Sequence, residues 1–454
     1  RYPLVTGVQT CALPILVIFA DQQRWDTLGC NGHPMDLTPE LDRLARSGTR
    51  FVLPITNQPV CAPARATLLT GRYGTSHGVW RNNIGLAPGT PTLATRLSGA
   101  GYRTGYVGKW HLSPAELGRG AVPAEYRAGF RDWWEASNAL EFTSQPFDTV
   151  MFDADGAEVR PRGYRVDACT DRTIEMIRHL GSADDPFLAM VSFLEPHHQN
   201  DVDEYVAPVG YAERYASPFV PGDLRPLPGS WGQHLPGYYG AIRSLDENVG
   251  RLVATLDEMG KLDNTIVVYT ADHGCHFKTR NREYKRSCHD SSIRVPLVIA
   301  GPGFDRRQVI HEPVSLVDLC PTLLDACGVD RDETIQGRSF LPLVARDADT
   351  CATWPEDVFI QISESGVARA LRTERWAYGV LAIGLGGSQV AGSDDYVETH
   401  LYDTYADPHQ HVNLIGRSGY DEVRLTLRGR LVARMVEAGE MAPAIRDLVG
   451  STTV

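Results

Sequence analysis

The chain has 454 residues, 43% hydrophobic and 22% charged, with a mean hydropathy of −0.23; these proportions exclude a collagen-like, a disordered or a polytopic membrane chain. At roughly one domain per 150 residues, the length allows about three and assures a sizeable core. Acidic residues outnumber basic ones 56 to 44, a formal charge of −12, which argues against nucleic acid or a membrane surface as partner, so an anionic substrate has to be met by a local cluster of cations.

Residues 1–14, RYPLVTGVQTCALP, lack the charged start and long apolar stretch of a signal peptide and do not read as the approach to a strand. The segment resembles translated sequencing-adapter read-through and is expected to be non-native. Nine cysteines (11, 30, 61, 169, 275, 288, 320, 327 and 351) contain no C-x-x-C pair and are too irregularly spaced for a disulfide scaffold. Free thiols in a reducing compartment are expected, which favours the cytoplasm over the periplasm or secretion.

Ile15 to Ala20 is a continuous apolar run ending at Asp21, the pattern of a buried parallel strand that delivers a polar residue at its C-terminal edge. The pattern recurs where residues 187–193 lead to Glu195-Pro196-His197 and where 265–271 lead to Asp272-His273-Gly274. Between the runs lie helical patterns. Thr38-Pro39-Glu40 marks one start; residues 238–259 carry apolar side chains at three-to-four spacing and stop at Gly260; Val317 to Cys327 stops at Gly328. Residues 199–236 are proline-rich and aperiodic, and are expected to form lids or substrate walls. Beyond about residue 350 come short β-like runs (358–362, 367–371, 376–381), a glycine-rich turn at 384–387 and a helix near 423–438. The expected fold is α/β, a large, mostly parallel sheet flanked by helices over residues 15–350, with a small α+β subdomain over 351–454.

The most informative segment runs from Cys61 to Arg72, CAPARATLLTGR. Pro63 suits a first helical turn and Gly71 a helix end, and Cys61 and Arg65 lie four residues apart on one face. A helix N-terminus favours anions through its free N–H groups and its dipole, so Cys61 would sit beside an anion site carrying a guanidinium. A lone thiol there would usually be packing, but the flanking pattern overrides that reading.

At these residues the chain resembles the sulfatase family of the alkaline phosphatase superfamily, matching its C-x-P-x-R and the following T-L-L-T-G-R. The resemblance extends over nearly the whole chain from residue 15, through Gly108-Lys109-Trp110-His111, Pro196-His197, Asp272-His273-Gly274, Lys285 before Arg294-Val295-Pro296-Leu297, and the closing Tyr402-Asp403 and Asp407-Pro408. It implies an alkaline phosphatase-like sheet and an enzyme that hydrolyses sulfate monoesters, with a sulfated carbohydrate as the expected substrate. It implies that a formylglycine-generating enzyme oxidises Cys61 to formylglycine, whose hydrate is the nucleophile. The implied catalytic residues are Cys61, Arg65, Lys109, His111, His197 and Lys285; His198 is set aside because alternation turns neighbouring side chains apart. The implied metal ligands are Asp21, Gln22, residue 61, Asp272 and His273. Hard oxygen ligands put Ca2+ first, while the imidazole and the smaller number of carboxylates than is usual in the family shift the preference toward Mn2+, with Mg2+ the remaining candidate.

Asp-Gln and Asp-His at the two metal elements also resemble phosphonate monoester and phosphodiester hydrolases of the same superfamily, the second reading. A non-catalytic saccharide-binding protein is the third, disfavoured because each expected catalytic position is filled. The run 276–286 carries five Lys or Arg in eleven residues, either a subsite for further anionic groups or a solvated loop. Trp133-Trp134 is either a sugar-stacking wall or core.

Overall fold

The computed structural model describes residues 12–448; residues 1–11 of the segment set apart above lie outside the described residues. The elements that position the site are, in chain order, strand β1 (Ile15–Ala20), helices α1 (Pro39–Ser47) and α2 (Cys61–Thr70), strands β2 (Arg103–Lys109) and β3 (Trp133–Ser137), helix α3 (Arg165–Leu180), strand β4 (Phe187–Ser192), helix α4 (Trp231–Glu258), and strands β5 (Ile266–Ala271) and β6 (Leu297–Ala300). These strands form the centre of a ten-stranded sheet in the order β6-β5-β1-β4-β2-β3. The five from β5 to β3 are mutually parallel and β6 is antiparallel to β5. Every residue of β1, β4 and β5 is buried, which is why each reads as an unbroken apolar run rather than an alternating one. Helix α3 packs on β2 and β4, α1 on β6, and α4 on α1 and α3, closing the main hydrophobic core around the sheet.

Register fixes the working edge. Ala20 pairs with Ala271, so Asp21 and Asp272 leave adjacent strands side by side. Phe19 and Gly108 both pair with Ser192, bringing the end of β2 to the same edge. Parallel strands necessarily release their C-terminal residues on one side of a sheet, the usual ligand-binding side of α/β proteins.

A second sheet of five strands runs from residue 357 to 446: β7 (Asp357–Ile362), β8 (Val367–Thr373), β9 (Trp376–Ala382), β10 (Asp395–Asp403) and β11 (Ala444–Arg446), in sequence order and antiparallel except for the last pair. Helix α5 (Asp421–Glu437) covers it through Leu427, Leu431 and Met435. Leu53, Ile55, Ile293, Val358, Ile360 and Ile362 form the apolar seam between the two sheets.

Two expectations need correction. Helix α4 begins at Trp231, inside the stretch read as loop; Pro236 lies in it, where its missing N–H and ring disturb only the carbonyl four residues earlier, that of Gly232 in the first turn. The helix read from Val317 to Cys327 is a 3-10 turn (Leu316–Asp318) followed by an α-helix (Leu319–Ala326). Among the described residues the cysteines are free thiols, and no helix is long and apolar enough to cross a membrane.

Candidate active site

Cys61 is the first residue of α2, a helix buried along its whole length and ended by Gly71 in the left-handed conformation (φ 68°). Its N-terminus faces the edge from which Asp21 and Asp272 emerge. The Cys61 Sγ lies 3.7 Å from Asp21 Oδ1, 3.4 Å from His273 Nε2 and 2.9 Å from Lys285 Nζ. One turn along, Arg65 reaches back to both carboxylates, with Nη2 at 3.0 Å from Asp21 Oδ2 and 3.4 Å from Asp272 Oδ2. Its Nη1 donates to the Lys109 carbonyl and to Ser192 Oγ at the ends of β2 and β4. Lys109 Nζ sits between Asp21 Oδ2 (2.8 Å) and Glu141 Oε1 (3.0 Å). Seven of the ten sequence-predicted side chains, Asp21, Cys61, Arg65, Lys109, Asp272, His273 and Lys285, are thereby joined directly; His111 hydrogen-bonds Cys61, Gln22 meets Asp272 through its backbone N–H, and His111 and His197 are each 7% exposed.

Burial and Asp21 work to raise the Cys61 thiol, but Lys109, Lys285 and His111 outweigh them and hold it well below the usual cysteine value. Burial likewise opposes ionisation of Asp21, and Lys109, His197, Lys285 and Arg65 reverse it, leaving that carboxyl well below the ordinary carboxylate range. Asp272 goes the other way, pushed up to about 6 by burial and by the Asp21 charge beside it. Burial works against the Lys109 charge, and Asp21, Cys61 and Glu141 more than restore it. Three cations, Arg65, Lys109 and Lys285, thus interleave with the carboxylates of Asp21, Asp272 and Glu141 around residue 61, an arrangement that holds a negative charge at that residue.

The donor set fits a divalent cation. One ligand atom each from Asp21, Cys61, Asp272 and His273 lie within 4.8 Å of one another. His273 Nδ1 lies 2.9 Å from the Gly274 carbonyl; that oxygen can only accept, so Nδ1 donates, the usual outer support of a metal-binding imidazole, and Nε2 faces the donor set with Lys285 Nζ at 2.9 Å. Gln22, in the left-handed region at φ 65°, has a buried Nε2 without a partner. The two ends of an amide exchange by a half-turn, so the same position can present an oxygen.

Four residues that sequence reasoning passed over belong to this site. Glu141, on the short helix Leu140–Thr143, anchors Lys109, and Ser192 anchors Arg65. Asn82 Oδ1 accepts the Ala62 N–H at 3.0 Å, satisfying one of the free donors of the α2 N-terminus. His198, set aside on strand alternation, stacks on His197 (ring centroids 4.4 Å apart) with Nδ1 at 3.3 Å from Gln22 Oε1. The two histidines follow β4 in a turn, where period-two alternation does not apply.

The run 276–286 divides by partner. Lys278 pairs with Asp203, Arg280 donates to the carbonyls of His409 and Gln410, Arg286 pairs with Glu283 and Glu364, and Lys285 enters the site; Arg282 is exposed. The run is therefore mostly structural. Trp134 is core, packed with Tyr106 and Trp110. A second group with metal-ligand chemistry, Cys288, His289 and His400, is already satisfied within the fold: His289 meets Ser287 through Nδ1 and the Tyr402 hydroxyl through Nε2.

The sulfatase family model matches residues 14–329, and the model for the C-terminal region of N-sulphoglucosamine sulphohydrolase matches 282–437. An ulvan-active sulfatase of Formosa agariphila is 30% identical over 440 residues, covering 94% of this chain and 81% of that protein. An N-acetylglucosamine-6-O-sulfatase of Bacteroides thetaiotaomicron is 24% identical over 483 residues, covering 89% and 83%. Among solved structures, the sulfatase yidJ of Bacteroides fragilis superposes with a TM-score of 0.82 at 25% identity, covering 97% of this chain and 98% of that one. Matches spanning both sheets, with strand tips and a helix terminus converging on Cys61, place the chain plainly: it belongs to the sulfatase family, the sulfuric ester hydrolases of the alkaline phosphatase superfamily.

Proposed function

We propose that this protein cleaves sulfate monoesters of a sulfated carbohydrate, using residue 61 as nucleophile after Cys61 has been oxidised to formylglycine by a formylglycine-generating enzyme. The observation that carries the reading is the meeting of Cys61 with Asp21, His273 and Lys285 within 3.7 Å at the ends of parallel strands. The activities by which the two relatives are named, on ulvan and at the 6-O-sulfate of N-acetylglucosamine, support a saccharide as the alcohol part of the ester.

A hydrated formylglycine supplies one hydroxyl to attack sulfur and a second to expel sulfate afterwards by C–O cleavage, and a divalent cation supplies charge that makes the attacking hydroxyl acidic. Asp21, Gln22, Asp272, His273 and residue 61 would hold that cation, Ca2+ as first choice and Mn2+ or Mg2+ as alternatives. Arg65, Lys109 and Lys285 balance the sulfate oxygens, and His111, hydrogen-bonded to residue 61, orients it. As the ester S–O bond breaks, its electron pair moves onto the sugar oxygen, which requires a proton. Lys285 is the proposed donor of that proton; its Nζ lies 2.9 Å from residue 61. His197 is held neutral by burial and by His198, with Nδ1 2.6 Å from the His198 carbonyl, so it acts as a wall and an acceptor.

The test begins with peptide mass spectrometry for the aldehyde at residue 61. Sulfate release is then measured from a panel of sulfated saccharides, and p-nitrophenyl sulfate is compared with a phenyl phosphonate monoester. Turnover of a sulfated saccharide with kcat/KM for the aryl sulfate above that for the phosphonate is expected. The reverse order makes the chain a phosphonate or phosphodiester hydrolase, and binding without turnover by aldehyde-bearing protein makes it a saccharide-binding protein.

A further inference from the structure

The hairpin turn between β7 and β8 lies at the active site. Ser363 Oγ accepts from Gln58 Nε2 at 2.9 Å, three residues before the nucleophile. Glu364 Oε1 accepts the Asn82 N–H at 2.7 Å, and Asn82 Oδ1 in turn accepts the Ala62 N–H, next to the nucleophile. Glu364 Oε2 takes a short ion pair from Arg286, and Ser365 Oγ donates to the Arg286 carbonyl at 2.7 Å. Arg286 follows Lys285, whose Nζ touches Cys61.

The turn is built for this reach. Glu364 adopts the left-handed conformation at φ 66°, uncommon for a residue with a side chain and kept only where the surroundings enforce it. Its N–H donates to the Gly387 carbonyl at 2.8 Å. A Cβ at Gly387 would lie 2.7 Å from Glu364 N and 2.6 Å from Gly366 N and O, so only glycine permits the glycine-rich turn to press against the hairpin. That gives the 384–387 motif a role that packing of the small sheet alone does not require.

We infer that Glu364 is a positioning residue of the catalytic centre: from the small sheet it fixes the α2 N-terminus through Asn82 and the Lys285 loop through Arg286, so that the nucleophile and its cation keep their separation. The inference rests on the sulfatase reading for its kinetic arm and is independent of it for its structural arm. The Glu364 side chain is 15% exposed and both its oxygens are engaged by protein, so it acts on residue 61 through Asn82 and Arg286.

The test uses the full chain with its aldehyde content measured in every variant. Glu364→Ala is expected to lower kcat on p-nitrophenyl sulfate by about tenfold or more, per aldehyde, with KM within twofold. Glu364→Gln, which keeps an acceptor for the Asn82 N–H, recovers a large part of the loss. Asn82→Ala cuts the same connection one link closer, so the double variant with Glu364→Ala is no worse than the poorer single one. Amide hydrogen exchange in the peptide spanning residues 60–70 rises in Glu364→Ala and stays unchanged in Glu398→Ala, a variant that weakens the same sheet on its far side. Kinetic losses that simply add, a kcat within twofold of the parent, or unchanged exchange at 60–70 overturns the inference. If the parent itself releases no sulfate, the sulfatase reading fails while the exchange arm still decides this one.

Discussion

The two sheets treat buried charge in opposite ways. In the small sheet each charged group is closed off by partners: Glu398 takes the Tyr378 hydroxyl, Arg424 and Arg428; Asp357 takes Arg430 and Arg434; Arg369 takes Glu440 and the Ala391 carbonyl. Among the described residues, the buried side-chain atoms left unpartnered there belong to two amides, Gln361 and Gln410, and to no charged group. At the tips of the large sheet the charges are deeper and less complete, with Gln22 Nε2, Arg65 Nε, His111 Nδ1 and Glu141 Oε2 all buried without a partner. Unsatisfied buried groups are expensive and rare, and four in one place indicate a site organised for a ligand rather than for stability.

The strongest way to break this contrast is to remove the group around which the tips converge. Cys61→Ala is expected to lower turnover by at least about 10³-fold, as loss of an activated nucleophile does, while circular dichroism and Tm stay close to the parent. A Tm drop of the size seen for core truncations would mean that Cys61 is mainly a packing residue. Next comes Lys109→Met, which leaves Asp21 and Glu141 facing each other without their shared cation. Removing one partner from a buried ion pair costs about 3–5 kcal/mol, and losing a charge that balances the sulfate costs about 10²–10³ in kcat. Urea unfolding and aryl sulfate kinetics measure the two losses separately; a stability loss without a kcat loss would make Lys109 a structural lysine.

In the small sheet only half of that result should recur. Glu398→Ala leaves the Tyr378 hydroxyl buried without its acceptor and frees two arginines that keep Asp447 as partner, which costs about 1–3 kcal/mol. Per folded molecule, kcat and KM on p-nitrophenyl sulfate should stay within twofold of the parent. A kcat loss beyond that would erase the distinction between the two sheets.

What the sequence disclosed and what it withheld follow from the range of each interaction. The polar ends of β1 and β5 were legible because a strand buried on both faces leaves an uninterrupted apolar run, and the first polar residue after it marks the edge. Cys61, Arg65 and Gly71 were legible because they belong to one helix and its cap. Glu141 is a lone acidic residue on a four-residue helix, 120 positions from the aspartate whose lysine it shares, and no local period marks it. Asn82 and Glu364 are joined across 282 positions, a separation only the folded seam explains. The glycine-rich turn at 384–387 did carry a signal for that seam, in a glycine that sterics require, but it is indistinguishable in sequence from an ordinary hairpin turn.

Asp246, on α4, completes the comparison with a buried carboxylate that has no ion-pair partner among the described residues, the Arg243 charge only partly offsetting its burial. Its oxygens accept the backbone N–H groups of Glu40 (3.0 Å) and Leu41 (2.8 Å) in the first turn of α1. The favourable helix terminus is insufficient, and burial pushes its pKa up to about 7 from 3.8. Between those values the folded protein holds a proton that the unfolded chain releases, so this group makes folding less favourable as pH rises from about 4 to 7, the reverse of a carboxylate paired with a cation. Asp246→Asn removes the titration and keeps one acceptor for the helix. Relative to the parent, the variant should therefore be less stable near pH 5 and gain steadily toward pH 8, a modest slope read from Tm across that range. A difference in Tm that does not change with pH would mean that the two backbone donors alone keep Asp246 ionised, and that a helix N-terminus can do for a structural carboxylate what Arg65 and Lys109 do for Asp21.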